Sequence, residues 1–175
     1  MTYDKRALFL DRDGVININY GYVYKKDNFC FIKGIFELCQ LMESLGYLII
    51  IITNQAGIGR GYYSESDYNI LNDWMISKFK DNNVNISRTY HCPHKPEASC
   101  ACRKPKPGLI LNAAKDYNIN ILESFLIGDK ESDIQAGISA GIKNNILFDG
   151  SDHSTTISKL KELLLVDGFR IKDHA

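Results

Sequence analysis

Four short stretches carry residue types that do chemistry only in company. Asp11 and Asp13 stand one residue apart after the apolar run Ala7-Leu8-Phe9-Leu10, and Thr53, Asn54 and Gln55 follow the apolar run Tyr47 to Ile52. Arg103 and Lys104 precede Pro105, while Asp129, Lys130 and Asp133 follow Gly128. Acidic side chains gathered in one cleft repel each other, and a hard divalent cation such as Mg²⁺ relieves that repulsion through oxygen ligands. Asp11, Asp13 and Asp129 suit this ion. The Thr53 hydroxyl, the Asn54 amide and the cations of Lys104 with Arg103 or Lys130 supply the donors that a dianionic phosphoryl group needs. Carboxylates, cations and donors together point to phosphoryl transfer. An Asp after a strand is by itself more often a turn or cap residue, and Asp133 reads equally well as the start of a helix. The functional reading rests on the agreement of all four segments in one reaction.

A second set is soft rather than hard. Cys92, His94, Cys100 and Cys102 fall within eleven residues, the donor set that Zn²⁺ takes in a closed tetrahedral Cys₃His site. With every coordination position filled by protein, such an ion would shape the loop over about 92–102 and take no part in chemistry. The alternative is that Cys100 and Cys102 are incidental thiols. The loop runs directly into Arg103 and Lys104, so zinc there would aim two cations at the phosphoryl site. Cys30 and Cys39 read as small apolar residues of the core.

The elements that must position these groups alternate between strand-like and helix-like patterns. Strands are expected at Ala7 to Leu10, Tyr47 to Ile52, Arg88 to His91, Phe125 to Ile127 and Asn145 to Phe148. Helices are expected after Gly34, over about Ser64 to Lys80, Pro107 to Tyr117 and Ser132 to Ala140, with a last one over about Thr156 to Leu165. Ser64-x-x-Asp67 resembles a capping box. The loop with Gly57, Gly59 and Gly61 is read as irregular. The expected fold class is α/β, an open, doubly wound, mostly parallel sheet of Rossmann type. Right-handed crossovers put the C-terminal ends of all strands on one edge, where such sheets bind ligands, and all four segments meet there.

Composition fits one domain over 1–175. A chain of 175 residues with 45% apolar and 24% charged residues is long enough for a sizeable core and unlike a disordered one. Twenty-one basic residues balance 21 acidic ones, which argues against a nucleic-acid or membrane-surface partner and leaves a small-molecule substrate. The longest apolar run is far below the ~20 residues of a membrane span, and no signal peptide opens the chain. An odd number of Cys, clustered as metal ligands, suits a reducing compartment. A cytoplasmic monomer is the expectation.

The pattern Leu-Phe-Leu-Asp11-Arg-Asp13-Gly14, Ile-Ile-Thr53-Asn54, Lys104-Pro105 and Gly128-Asp129-Lys130-x-x-Asp133 resembles the haloacid dehalogenase-like (HAD) phosphohydrolases, over nearly the whole chain. The resemblance implies that Asp11 is the nucleophile and Asp13 the general acid and base. It implies Mg²⁺ held by Asp11, Asp129 and the backbone carbonyl of Asp13, phosphoryl binding by Thr53 and Lys104, and support from Asp133. Many HAD relatives carry a cap domain over the site. Here about forty residues separate Asp11 from Thr53 and about fifty separate Thr53 from Lys104, both intervals filled by sheet-building elements, so a capless enzyme is expected. Loops must then recognise the substrate. The loops resemble those of the sugar-bisphosphatase branch, with histidinol-phosphate phosphatases as near relatives. That resemblance implies substrate contacts from Asn19, Tyr20, Gly21 and Tyr22, from Thr53, Asn54, Gln55 and Ala56, and from Arg103, Lys104 and Lys130. Ala56 departs from the Ser common there. Arg103, Lys130 and Arg60 offer more positive charge than one phosphoryl group requires, which suits a small sugar with two phosphates; Arg60 as a plain surface residue is the alternative. A receiver-type signalling domain and a nucleic-acid 3′-phosphatase are rival readings. The first leaves the Asp-x-Asp and the zinc loop unexplained, and the second lacks a basic surface.

Overall fold

The computed structural model describes residues 5–166; the ends of the expected 1–175 domain, 1–4 and 167–175, lie outside the described residues. Five parallel strands, β1 (Arg6–Leu10), β2 (Tyr47–Asn54), β3 (Ile86–Cys92), β4 (Phe125–Gly128) and β5 (Asn144–Leu147), form one sheet in the order β3-β2-β1-β4-β5. Helices α1 (Ile35–Ser44), α2 (Ala56–Gly59), α3 (Glu65–Asp81), α4 (Gly108–Tyr117), α5 (Glu131–Ala140) and α6 (Ser154–Val166) connect and cover them. The α/β class is as expected. β1 is the middle strand, and the chain leaves it first toward β2 and later returns beside it as β4. That reversal opens a crevice at the C-terminal ends of β1 and its neighbours.

Alternation along each strand divides the core in two. Leu8, Leu10, Ile49, Ile51, Phe125 and Ile127 pack on one face with Leu38 and Met42 of α1, Leu71 and Met75 of α3, and Leu160 and Leu164 of α6. Ala7, Phe9, Ile50, Ile52 and Leu126 pack on the other with Leu109, Ile110 and Ala113 of α4 and Ala136 of α5. Burial of β1 and β2 on both faces is what makes their sequences continuously apolar. The α3 capping box forms as expected, with Asp67 N–H donating to Ser64 Oγ at 3.1 Å and Ser64 N–H to Asp67 Oδ2 at 2.8 Å.

Several boundaries differ from the sequence reading. β2 runs two residues further, so Thr53 and Asn54 end the strand instead of following it. β3 is seven residues long because edge pairing to β2 organises polar residues whose pattern is weak. The glycine-rich stretch after Gln55 winds into the one-turn α2. Cys39 is buried in the core, but Cys30 is exposed, a correction: Phe29 turns inward there and leaves its neighbour in solvent. Among the described residues no helix is long and apolar enough to cross a membrane.

His153, at the start of α6, is buried without being apolar. Its ring stacks on Phe148 with centroids 4.2 Å apart, and its Nε2 donates to the Val15 carbonyl at 2.8 Å. It thereby ties α6 to the loop that follows Asp13. Burial, the dominant cause, lowers its pKa below the ordinary 6.5, against the Val15 hydrogen bond. A His whose folded pKa is depressed stabilises the fold above its unfolded pKa, and that stability is lost as pH falls. The Tm drop between pH 7.5 and pH 5 is therefore expected to be smaller in His153→Gln than in the wild type; equal drops would show that His153 does not titrate on unfolding.

Candidate active site

Asp11 leaves β1 and remains attached to β4, its backbone N–H donating to Ile127 O at 3.0 Å. The next turn is tight: Ile16 N–H donates to Arg12 O at 2.8 Å and Gly14 N–H to Asn17 O at 2.7 Å. Gly14 has φ +100°, and a Cβ there would collide with the Asp129 carboxylate, so glycine is what lets the β1 and β4 loops approach. Asp129 follows β4, and Asp133 caps α5 by accepting from Lys130 N–H at 3.1 Å.

Lys104 lies between these carboxylates. Its Nζ donates to Asp11 Oδ1 at 2.6 Å, to Asp133 Oδ1 at 2.7 Å and to Ile52 O at 2.9 Å, with the ammonium group 2% exposed. Asn54 places the lysine. Its Nδ2 donates to Lys104 O and its Oδ1 accepts from Lys104 N–H, both at 3.1 Å. Asp133 thus caps the helix through one oxygen and pairs with Lys104 through the other.

Two cations, Lys104 and, 3.9 Å from Asp129, Lys130, face three carboxylates. Oxygen atoms of Asp11, Asp129 and Asp133 lie within 4.8 Å of one another. Burial, opposed by Lys104 and reinforced by Asp133, pushes the Asp11 carboxyl up to about 7. Burial likewise raises Asp129, against Lys130. Asp129 Oδ1 is buried without a hydrogen-bond partner. An orphaned carboxylate oxygen beside two more carboxylates fits a divalent cation with oxygen ligands. Asp13, whose side chain is outside that cluster, would reach the ion through its backbone carbonyl only.

Asp13 is surrounded by donors. Arg12 Nη2 bonds both carboxylate oxygens at 2.8 and 2.9 Å and the Val23 carbonyl at 2.6 Å; Asn17 Nδ2 bonds Oδ1 and Gln55 Nε2 bonds Oδ2, each at 3.0 Å. Gln55 also donates to Thr53 Oγ1 at 2.9 Å and accepts from the Tyr63 hydroxyl at 2.6 Å. The Thr53 hydroxyl proton is left for another acceptor. Arg12 and Tyr63 have no role in the sequence reading, and Asn17 enters it only as the start of a candidate substrate loop, 17–22. Arg12 stands between the two aspartates, a signal that its position alone offered; nothing in sequence pairs Tyr63 with Gln55.

A cavity of about 500 Å³ opens above these groups, lined by Asp13, Asn19, Gly21, Tyr22, Asn54, Gln55, Ala56, Arg103, Lys104 and Lys130 among others. Most of the expected substrate residues therefore share one wall. Tyr20 is exposed and does not line it, and Thr53 is buried below it. Arg60 turns away toward Glu97, 4.0 Å off, as in the alternative reading of a surface residue.

The four soft donors also converge. Cys92 Sγ lies 3.1 Å from Cys102 Sγ and 3.6 Å from Cys100 Sγ, and His94 Nδ1 lies 3.3 Å from Cys102 Sγ and 3.5 Å from Cys92 Sγ. Four N and S donors at that spacing suit one ion with metal–sulfur bonds of ~2.3 Å. Burial pushes Cys92 up to about 12 and raises Cys102. Arg103, directly after the loop, donates to His94 O at 3.2 Å.

The HAD-hydrolase-like family model matches residues 101–163. A putative HAD-like phosphatase from Mesorhizobium loti superposes with a TM-score of 0.83 at 25% identity, covering 96% of this chain and 89% of that one. D,D-heptose 1,7-bisphosphate phosphatase from B. bronchiseptica, complexed with magnesium and phosphate, gives 0.80 at 25% identity over 93% of this chain and 99% of that one. Fold and site define a phosphoric monoester hydrolase of the HAD type. D-glycero-beta-D-manno-heptose-1,7-bisphosphate 7-phosphatase from Helicobacter pylori strain 26695 is 55% identical over 82% of this chain and 83% of its own length. The D-glycero-alpha-D-manno-heptose-1,7-bisphosphate 7-phosphatase of Campylobacter jejuni is 46% identical over 96% and 98%. The chain belongs to the D-glycero-D-manno-heptose-1,7-bisphosphate 7-phosphatase family.

Removing one partner of a buried ion cluster leaves uncompensated charge. Lys104→Met is expected to lose about 3 kcal/mol of unfolding free energy at pH 7.5 in metal-free buffer, and less at pH 5, where Asp11 is already protonated. Urea unfolding at the two pH values measures it, and an equal loss at both would contradict the charge argument.

Proposed function

We propose that this protein removes the 7-phosphate of D-glycero-D-manno-heptose 1,7-bisphosphate through a phosphoryl-enzyme on Asp11, in the supply of nucleotide-activated heptose for surface polysaccharide. The observation that carries the reading is the buried Lys104–Asp11–Asp133 cluster beside Asp13, below a cavity edged by Arg103 and Lys130. Lys104 fixes one oxygen of Asp11 and leaves the other to attack phosphorus. Asp13 gives its proton to the leaving sugar oxygen as the P–O bond breaks, and the acyl phosphate forms on Asp11. Asp13 then takes a proton from water, whose oxygen attacks phosphorus and releases inorganic phosphate and the Asp11 carboxylate. The Thr53 hydroxyl binds a transferring phosphoryl oxygen, and the Lys104 ammonium binds another by exchanging for it one of its three acceptors, Asp11, Asp133 or Ile52 O. Bound Mg²⁺, held by Asp11, Asp129 and the Asp13 backbone carbonyl, would neutralise charge between nucleophile and phosphoryl group.

The second phosphate needs a cation of its own. Arg103 and Lys130 both reach the cavity wall, and Arg103 matches a phosphate with two donors. Zn²⁺ on Cys92, His94, Cys100 and Cys102 would hold the backbone from which Arg103 and Lys104 project. Thiols kept reduced for that purpose support a cytoplasmic location.

Phosphate release in Mg²⁺ from both anomers of the heptose bisphosphate, fructose 1,6-bisphosphate, histidinol phosphate and a 3′-phosphorylated oligonucleotide, ranked by kcat/KM, tests the substrate. A heptose anomer should lead; histidinol phosphate in first place would overturn the assignment. Asp13→Asn should lose roughly 10²–10⁴-fold in kcat and Asp11→Asn more, with near-normal turnover by either refuting its role. Chelation of zinc, or Cys102→Ser, should raise KM and lower Tm while the Mg²⁺ dependence persists; unchanged KM in zinc-free protein would refute the link between loop and cations.

A further inference from the structure

Tyr63 lines the cavity beside Gln55, yet it is largely buried and engaged on three sides. Its ring stacks on Tyr24 at 5.0 Å with 8° between planes. Its edge lies against Gly57, where a Cβ would collide with the ring. Its hydroxyl donates to Gln55 Oε1 at 2.6 Å. Burial pushes the phenol up to about 12, so it remains a donor across the neutral range.

Gln55, 2% exposed, has a carboxamide whose two ends are nearly the same size and opposite in hydrogen-bonding sense. Turned as observed, Nε2 donates to Asp13 Oδ2 and Thr53 Oγ1. Turned over, it would aim a carbonyl oxygen at a carboxylate. Shape alone does not select between the two orientations. The Asp13 carboxylate, an acceptor only, does, and the Tyr63 hydroxyl then supplies the donor without which the buried Oε1 would be left unsatisfied.

We propose that Tyr63 is a positioning residue of the phosphatase reaction: its hydroxyl locks the Gln55 carboxamide so that one N–H₂ group holds both Asp13 and Thr53 in place. Through the stack on Tyr24, the same residue ties this lock to the loop that carries Asn19, Gly21 and Tyr22 on the cavity wall. The inference rests on the reading of Asp13 as acid and base.

The test is a double-mutant cycle on the Mg²⁺-loaded full chain with heptose 1,7-bisphosphate. Tyr63→Phe keeps the ring stack and removes only the hydroxyl. It should lower kcat about tenfold with KM within about twofold, since a displaced acid loses part of its contribution while substrate binding persists. In a Gln55→Ala background the same change should cost less than about twofold, because the two residues act as one unit. A full-size Tyr63→Phe effect in that background, an effect on KM alone, or kcat within twofold of wild type overturns the proposal. Should Tyr63→Phe fail to fold, Gln55→Glu reads the same orientation: it keeps the Tyr63 contact but faces Asp13 with an acceptor, and should lose more kcat than Gln55→Ala. The opposite ranking overturns the proposal. Failure of the underlying reading looks different, as retained turnover by Asp13→Asn.

Discussion

A single buried ammonium holds the site together. Lys104 is enclosed by Asp11, Asp133 and the Ile52 carbonyl, groups that come from the ends of β1, β2 and the start of α5. None of these could be buried alone, since an ion without its partner is costly in a dry interior. The ends of three segments must therefore meet, and the lysine must arrive from a fourth. Its delivery depends on the paired Asn54 bonds to its backbone and on the Cys/His loop immediately before it. Fold and site share this constraint, because the same contact closes the sheet edge and orients the Asp11 carboxylate.

The cluster is also unbalanced by design of its residues. Three carboxylates face the Lys104 ammonium and, 3.9 Å from Asp129, that of Lys130; burial raises Asp11, and one Asp129 oxygen is left unpartnered. A divalent cation and a phosphoryl dianion together would complete it. Asp13 differs in kind from its neighbours: four hydrogen bonds from Arg12, Asn17 and Gln55 hold it without a metal contact from its side chain. Two aspartates one residue apart thus sit in unlike surroundings. With no cap domain among the described residues, the cavity owes its walls to loops, and two tyrosine pairs, Tyr22 with Tyr62 and Tyr24 with Tyr63, join the loop after Asp13 to the segment after β2.

Much of this was legible in the chain. β1 and β2 declared themselves by their apolar runs, α1 by its apolar period, and α3 by the Ser64 and Asp67 cap. The edge strand β3 was read short because its residues Arg88, Thr89 and His91 carry little apolar signal and owe their order to pairing with β2. The turn of α2 was hidden by its glycines. Cys30 was misread as core since a small residue between two phenylalanines gives no sign of which way it turns. Asp11, Asp13, Thr53, Lys104 and Asp129 were singled out from sequence, and they share one sheet edge because the aspartates follow β1 and β4, Thr53 lies near the end of β2 and Lys104 precedes α4.

Helix and strand periods, and the types of group presented at each strand end, are written in short-range order, so element sequence and chemical inventory could be read without coordinates. Which oxygen each donor takes could not. Hydrogen bonds and ion pairs act over about 3 Å and in fixed directions, and Lys104 reaches an aspartate 93 residues away while Tyr63 turns the amide of Gln55. Only the folded chain brings such partners within that reach, and only there does the division of roles among its carboxylates become a matter of surroundings.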